Sequence, residues 1–321
     1  MAINLDVIVF GSCIMDFISY VPRLPQVGET IHGTRFTTGF GGKGGNQCVA
    51  AARLGSQCAM IAKLGQDSWG QAYREHLQKE NIDITHLSLI ENQSTGIAQI
   101  NVSESDGANH IVITVGANNS LDTKNAIDAV ELMARAKVLV CQLETPIDAT
   151  ISALKHFSGV SILNAAPAPL NTSSDLLKLP TIFCVNESEA TLITGMSVVN
   201  ITKAKEAICL LQEKGANIVI ITLGKDGAVF SEKSSSGYFH LNIDPVTACV
   251  DTTGAGDAFI GALAHLISKL GFTEYPIGQL IGGACEIASI TVGLLGTQTS
   301  FPRMSNFEDQ VLNKKYNIKA I

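Results

Sequence analysis

The chain is poor in charge. Only 16% of its 321 residues are Asp, Glu, Lys or Arg, against roughly 25% in an average globular domain. The balance is acidic, 29 carboxylates against 22 cations for a net charge of −7, and there is no basic run. Nucleic-acid binding needs a clustered positive face, so no nucleic acid is expected as a partner. Long apolar runs are missing too. Nothing approaches the ~18 residues of a membrane span, so no membrane association is expected. The first ten residues hold no Lys or Arg and an apolar run only at 7–10, which reads as a first strand and not as a signal peptide. Cysteine pairs are absent. The eight cysteines are Cys13, Cys48, Cys58, Cys141, Cys184, Cys209, Cys249 and Cys285, and no two lie within four positions. That excludes a C-x-x-C metal or redox pair, and most sit in apolar surroundings, where a thiol packs as a small hydrophobe. The seven histidines lack the H-x-x-x-H spacing of a zinc site. A reduced cytoplasmic protein is expected, able to reach the nucleus by diffusion.

What is present is apolar and periodic. The hydrophobic fraction is 46%, which excludes disorder. Segments 6–10, 57–64, 137–143, 160–163, 181–185 and 218–223 read as buried strands, rich in Val and Ile and without period-2 polarity, as in a parallel sheet covered on both faces. Helical patterns alternate with them at 46–54, 68–80, 123–136, 148–156, 188–194 and 202–214. Two more helices are expected in 254–295, separated near 271–276. Gly55 and Gly215 stand where helices end on glycine. The βαβα order predicts a doubly wound α/β/α sandwich with a mostly parallel sheet. Two segments break the rhythm, 12–40 and 95–115. Both read as half-exposed antiparallel strands forming a small second sheet that covers a site or pairs with a partner.

Glycine is in excess. The chain has 29, where a typical ~7% would give about 22. One cluster is Gly39-Phe40-Gly41-Gly42-Lys43-Gly44-Gly45-Asn46. It contains a G-x-G-x-x-G pattern, but a dinucleotide fingerprint directly follows the first buried strand, and here that strand ends some thirty residues earlier. Lys43 is out of register for a P-loop. What remains is a glycine-rich turn entering a helix, either a tight turn with a cap or a place where backbone N–H groups approach a polar ligand. The second cluster is Asp251-Thr252-Thr253-Gly254-Ala255-Gly256-Asp257, ahead of an apolar helix. Gly-Ala-Gly at a helix start aims unpaired N–H groups at one point and makes an anion hole. Asp257 is then either a helix-dipole partner or a base that takes a proton from a hydroxyl attacking a phosphate.

Together the two clusters resemble the two signatures of the ribokinase-like (PfkB) carbohydrate kinase family, and within it the ribokinases. Gly28-Glu29-Thr30, Gly41 to Gln47, Asn164-Ala165-Ala166-Pro167-Ala168, Asn186-Glu187-Ser188-Glu189 and Ile221-Thr222-Leu223-Gly224 carry the likeness, which spans essentially the whole chain. Gly45 departs from the family's usual alanine, and Cys285 stands where the family often has His or Asn near the adenine.

The resemblance implies one ribokinase-like α/β domain over 1–321, with the lid formed by about 12–40 and 95–115. It implies ATP-dependent phosphorylation of D-ribose at O5, with Asp257 as base and Gly254, Ala255 and Gly256 as the anion hole. The implied sugar site is Ile14, Met15, Asp16, Gly42, Lys43, Gly44, Gly45, Asn46 and Glu144 with Asp257. The implied ATP site is Asn186, Thr222, Leu223, Gly224, Lys225, Asp226, Gly227, Gly256 and Cys285. Glu189 corresponds to an acid that meets Mg2+ through water. Asp251, Thr253, Thr291, Leu294, Gly296 and Ser300 correspond to ligands of K+. The family also implies a homodimer paired through the lids. Without the resemblance several of these have plainer readings: Asp16 as a loop acid, Glu144 as a charge ahead of a helix, Lys43 as a surface cation, residues 186–189 as a capping turn, 222–227 as a strand end. The alternatives for function are another sugar or nucleoside kinase of the family, taking deoxyribose or fructose, or a sugar- or nucleotide-binding regulator without catalysis.

Overall fold

Alternation along the strands decides the layering. In the computed structural model, which describes residues 4–169, 171–232, 237–244, 246, 248–303, 311 and 314–321, the strands run in chain order as Leu5–Phe10 (β1), Ile14–Val21 (β2), Arg35–Gly41 (β3), Cys58–Gly65 (β4), Leu87–Ile90 (β5), Gly96–Ser103 (β6), Asn109–Thr114 (β7), Ala136–Cys141 (β8), Val160–Asn164 (β9), Ile182–Asn186 (β10), Ile218–Thr222 (β11), Ala228–Glu232 (β12), Tyr238–Leu241 (β13) and Ile318–Ala320 (β14). The helices are Lys43–Arg53 (α1), Ser68–Lys79 (α2), Thr123–Asp128 (α3), Val130–Met133 (α4), Ile147–His156 (α5), Ser174–Lys178 (α6), Glu187–Thr194 (α7), Ile201–Glu213 (α8), Ala255–Leu270 (α9) and Ile277–Thr291 (α10). Val7 and Val9 belong to a core with residues of α1, α2, α9 and α10. Ile8 and Phe10, one step on, belong to a second core with residues of α3 to α8. Because successive side chains of a strand point to opposite faces, one apolar strand feeds both cores, and the three layers follow.

The large sheet has ten strands in the order β14-β13-β12-β11-β10-β9-β8-β1-β4-β5. It is parallel from β11 to β5 and antiparallel at the β12–β14 edge. A separate sheet, β3-β2-β6-β7, is built from the two segments that interrupt the alternation. The mostly parallel sandwich with a small lid sheet is therefore as expected.

Four details differ. The lid is not wholly antiparallel, because β2 pairs with β6 in parallel. The stretch 123–136 is not one helix: it breaks into α3 and α4 around Ala129, and its last residue opens β8. β5 and β12–β14 were not foreseen. Most consequential, α1 starts at Lys43 and not at residue 46, so Lys43, Gly44 and Gly45 form its first turn.

Helices α1 and α9 cross where Gly261 faces α1. A Cβ there would lie 2.6 Å from Ala50 Cβ and 2.7 Å from the Gln47 carbonyl oxygen. Ala would gain about 1 kcal/mol in helix propensity, but overpacking against a backbone atom costs about 1–3 kcal/mol. Gly261→Ala should therefore lower the melting temperature by a few degrees despite the better helix former. An unchanged or higher value in a thermal melt would show that α1 yields there.

Candidate active site

Of the expected site residues, Lys43, Asn186, Glu189, Thr222, Gly254, Gly256 and Asp257 line one cavity, at the carboxyl ends of the central strands. The chain leaves β1 toward β4 on one side and returns through β8 on the other, and this reversal is where open α/β sheets leave a crevice for ligands. Ser12 follows β1 and Glu144 follows β8. The Ser12 hydroxyl donates to Glu144 Oε2 at 2.6 Å, closing the crevice floor. Further along the edge, Cys184 is in register with Asn164 and Asn186 with Thr222.

Two of the helices that begin at this crevice start on a glycine at φ +81° with no capping side chain of its own: Gly42 for α1 and Gly254 for α9. This left-handed backbone suits glycine, and there is no room for more. A Cβ on Gly42 would sit 2.7 Å from Ile14 N, and one on Gly254 would sit 2.5 Å from Thr297 Cγ2. The first turn of α1 is capped from elsewhere. Lys43 N–H donates to Glu144 Oε2 at 2.8 Å, Gly44 N–H to Ser12 Oγ at 3.3 Å, and Gly45 N–H to the Ser12 carbonyl at 2.8 Å. Glu144 is thus a cap for a helix remote in sequence, not a charge ahead of its own. At α9 the Ala255 N–H reaches the Thr252 carbonyl at 3.2 Å, while the N–H groups of Gly254, Gly256 and Asp257 meet no protein acceptor among the described residues. Open donors at the positive end of a 16-residue helix favour an anion. Gly256 faces open space, with no atom within 4 Å of where its Cβ would be.

Asp257, buried in the first turn of α9, is gripped on both oxygens. Gln47 Nε2 donates to Oδ1 and Asn46 Nδ2 donates to Oδ2, each at 2.9 Å. These amides are oriented in turn. Gln142 Nε2 donates to Gln47 Oε1 at 2.7 Å, and Gln298 Nε2 donates to Asn46 Oδ1 at 3.0 Å. Gly11 makes room for this arrangement, since a Cβ there would fall 2.0 Å from Gln142 Oε1.

Facing Asp257 is a cavity of about 200 Å³ lined by Lys43, Asn164, Cys184, Asn186, Glu189, Thr222, Gly254 and Gly256 among others. Its electrostatics are crowded. Asp16, on β2, is pushed up to about 7 by burial and by the Glu144 and Asp257 charges. Gly41 admits it, because a Cβ there would lie 2.3 Å from Asp16 Oδ2. Burial acts to lower the Lys43 ammonium, but Asp257, Glu144 and Glu189 outweigh it and hold the group above its ordinary value. Burial lifts Glu189, against the pull of the Asn186 N–H and Lys43. Lys43 is therefore no surface cation, and Asp16 no solvated loop acid.

Asn186 and Glu189 cap α7 reciprocally, each side chain accepting from the other's backbone N–H at 2.9 Å, and both also line the cavity. The capping and the functional readings hold together. Thr222 ends β11 at the cavity, with buried Leu223 leading into a 3-10 turn, Gly224–Asp226. Gly227 follows at φ +79°, where a Cβ would strike the Leu241 carbonyl oxygen at 2.1 Å. Ile14 and Met15 are buried at the start of β2. Cys285 lies in the core on α10, its thiol pushed up to about 12 by burial, and Cys184 is the cysteine that lines the cavity. Asp251 ties two loops together, accepting from Thr253 N–H and Gly296 N–H at 2.9 Å each. Thr291 ends α10, Leu294 is exposed, and Ser300 closes a short turn with Gln298.

Sequence reasoning left out Ser12, Gln47, Gln142, Asn164 and Gln298 as site residues. Gln47 and Asn164 lay inside stretches already singled out. Ser12, Gln142 and Gln298 are single polar residues beside apolar runs or in a loop, and only tertiary contact gives them meaning.

The family model described as "pfkB family carbohydrate kinase" matches residues 4–304. The chain is 42% identical to the ribokinase of Mus musculus over 299 residues, 92% of this chain and 91% of that one. It is 34% identical to the deoxyribokinase of Salmonella typhi over 310 residues, 95% and 98% of the two chains. Among solved structures, the Arabidopsis thaliana ribokinase complexed with ribose and ATP superposes with a TM-score of 0.87 at 27% identity, over 97% of this chain and 98% of that one. The crevice, the open start of α9 and these likenesses agree, and the chain belongs to the pfkB family of carbohydrate kinases.

Proposed function

We propose that the chain transfers the γ-phosphoryl group of ATP to the O5 hydroxyl of D-ribose, giving D-ribose 5-phosphate and ADP. The observation that carries this reading is Asp257: a carboxylate fixed on both oxygens, in the same first turn as open N–H groups that suit a phosphoryl group. Phosphoryl transfer asks for positioning and charge neutralisation more than covalent chemistry. Asp257 takes the proton of the attacking hydroxyl, and the Gly254, Gly256 and Asp257 N–H groups hold the charge that builds on the transferring phosphoryl oxygens. Asp16, Lys43, Asn46 and Glu144 offer the dense set of acceptors and donors that a small polyol requires, and each leaves a penalty when its partner is missing. On the nucleotide side we assign Asn186 and residues 222–227, with the adenine passing toward α10.

The residues fit the two cations the family implies. Glu189 is an oxygen ligand of the kind Mg2+ takes, and it lines the cavity where burial disfavours its charge, a cost that a cation would offset. For K+ we assign Asp251, Thr253, Thr291, Leu294, Gly296 and Ser300, mostly through backbone oxygens, hard ligands suited to the ion; the Thr291 and Ser300 hydroxyls themselves donate to the Ala288 and Thr297 carbonyls. No three His, Cys, Asp or Glu side chains cluster as metal ligands among the described residues, so backbone oxygens would carry much of that ligation. When bound, the cations supply charge neutralisation of the phosphates and order to the loop ahead of α9.

The lid sheet would exclude water from the reaction. Its edge strand β7 is exposed throughout, with Ile111, Val112 and Ile113 each about half exposed, and Phe36 on the opposite edge strand β3 is 59% exposed. An unpaired apolar edge favours pairing with a second chain, and we assign it to a homodimer. No helix among the described residues is long and apolar enough to cross a membrane. All eight cysteines are free thiols, which suits a cytoplasmic enzyme. A second reading, 2-deoxyribose as acceptor, is favoured by the likeness to the deoxyribokinase.

The decisive assay is ADP release across pentoses, deoxyribose, hexoses and nucleosides. Ribose should give the highest kcat/KM, and Asp257→Ala should lose at least about three orders of magnitude with its circular dichroism unchanged. A variant that keeps most of its activity would remove Asp257 as base.

Asp16 gives a pH-dependent outcome. In the unfolded chain it ionises near pH 4, but in the folded empty site only near 7. Its contribution to stability is therefore fully present below pH 4 and is lost as pH rises to about 7, leaving a destabilising buried charge above that. Unliganded Asp16→Asn should melt several degrees higher than the parent at pH 8, the gap closing toward pH 5, while ribose affinity falls by roughly two orders of magnitude. A gap independent of pH would refute the assignment of the buried charge to Asp16.

For the lid, the parent should scatter light as a dimer at micromolar concentration and the double variant Ile111→Lys/Ile113→Lys as a monomer. A parent that is already monomeric would refute the pairing.

A further inference from the structure

Two amide side chains grip Asp257, and the one from Asn46 is held from a direction that leads back to the lid. A carboxylate only accepts hydrogen bonds, so Asn46 must present Nδ2 to Asp257 and leave Oδ1 facing away. Oδ1 then needs a donor, which is Gln298 Nε2 at 3.0 Å. Gln298 having committed its amide nitrogen, its Oε1 needs a donor in turn. That donor is His76 Nε2 at 2.7 Å. Each link fixes the polarity of the next, and the series has one sense only: His76 to Gln298 to Asn46 to Asp257. The imidazole lies on α2 and is stacked flat on Phe40 of lid strand β3, ring centroids 4.0 Å apart and planes 4° from parallel. Tyr73 completes the enclosure. It accepts a longer bond from Gln298 Nε2 at 3.4 Å and donates to the Gly41 carbonyl of β3 at 2.6 Å. Gly45 permits this, since a Cβ there would lie 2.0 Å from the Tyr73 hydroxyl. The backbone of Gln298 is held as well, its carbonyl accepting from Arg53 Nη1, whose guanidinium also pairs with Glu80 at 2.5 Å.

We propose that Gln298 and His76 are positioning residues for phosphoryl transfer, a directional series of donors that begins under the lid strand and ends on the catalytic carboxylate. The proposal rests on Asp257 being the base. Neither residue needs to touch sugar or nucleotide. Their work is to keep the Asn46 amide from turning its oxygen toward Asp257, where it would repel the carboxylate and let it swing off the acceptor hydroxyl. Because Phe40 covers the imidazole, the lid strand and the base share one support.

The test separates donation from stacking. His76→Phe keeps an aromatic ring against Phe40 but removes the N–H, whereas His76→Gln keeps an N–H donor and removes the ring. The first should lose about tenfold in kcat with ribose KM within twofold, the loss expected of one positioning hydrogen bond, and the second should recover most of that loss. Gln298→Glu, which preserves shape but cannot donate to Asn46, should lose about 10- to 100-fold in kcat. The reverse order for His76, with the Phe variant at parental kcat and the Gln variant impaired, would overturn the proposal in favour of a stacking role, as would losses confined to KM. Thermal melts accompany each variant, and if Gln298→Glu folds poorly the His76 pair alone decides. Asp257→Asn serves as control. If it stays active, the base assignment fails and takes this inference with it. If it is inactive while Gln298→Glu and His76→Phe keep parental kcat, only the positioning role fails.

Discussion

Two helix starts without capping side chains, brought to one point, are the constraint on which the site depends. A helix that begins on glycine leaves its first N–H groups unserved, and burying such groups is costly. At α1 the need is met by Ser12 and Glu144, residues that follow β1 and β8. That arrangement binds the crevice floor to the helix that bears Asn46 and Gln47. At α9 the donors stay open, and the same turn carries Asp257. The close crossing at Gly261 keeps the helices in step, so the amides of one reach the carboxylate of the other.

The site also concentrates charge of one sign. Asp16, Glu144, Glu189 and Asp257 act on one another or on a single ammonium, Lys43. In the empty protein this arrangement works against the fold. A polyol that donates hydroxyls and a nucleotide that brings cations would each relieve it. The low charge content of the chain as a whole sharpens the contrast, since four carboxylates and an ammonium still meet in one cleft.

Much of the fold was legible because the parallel strands are continuous apolar runs and the helices between them are periodic. The elements that escaped are those whose existence depends on pairing. β5 is four residues long at one edge, β12 and β13 are short antiparallel strands, and β14 at the other edge is three residues that join β13 from far along the chain. Alternation marked β2 and β6 as strands but carries no information on direction, and their parallel register was beyond reach. The early start of α1 was hidden by propensity, since Gly44 and Gly45 disfavour a helix. Contact decides there: a Cβ on Gly44 would lie 2.5 Å from Ser12 N. At the site, the residues with distinctive neighbours could be found from the sequence. Gln142, Gln298 and His76 could not, because their meaning lies in which way an amide faces.

The lid leaves one more mark. The chain has a single tryptophan, Trp69, at the start of α2. Its indole stands edge-on to Phe17 of β2, ring centroids 5.0 Å apart and planes 89° from parallel. Phe17 in turn stacks on Phe36 of β3 at 6.2 Å. The only strong intrinsic fluorophore is thus seated against the lid and 38% exposed to water. A change in lid position alters the polarity around one indole and no other, which gives the enzyme a native optical signal: lid movement can be timed in stopped flow without a label, on a clock separate from the chemistry.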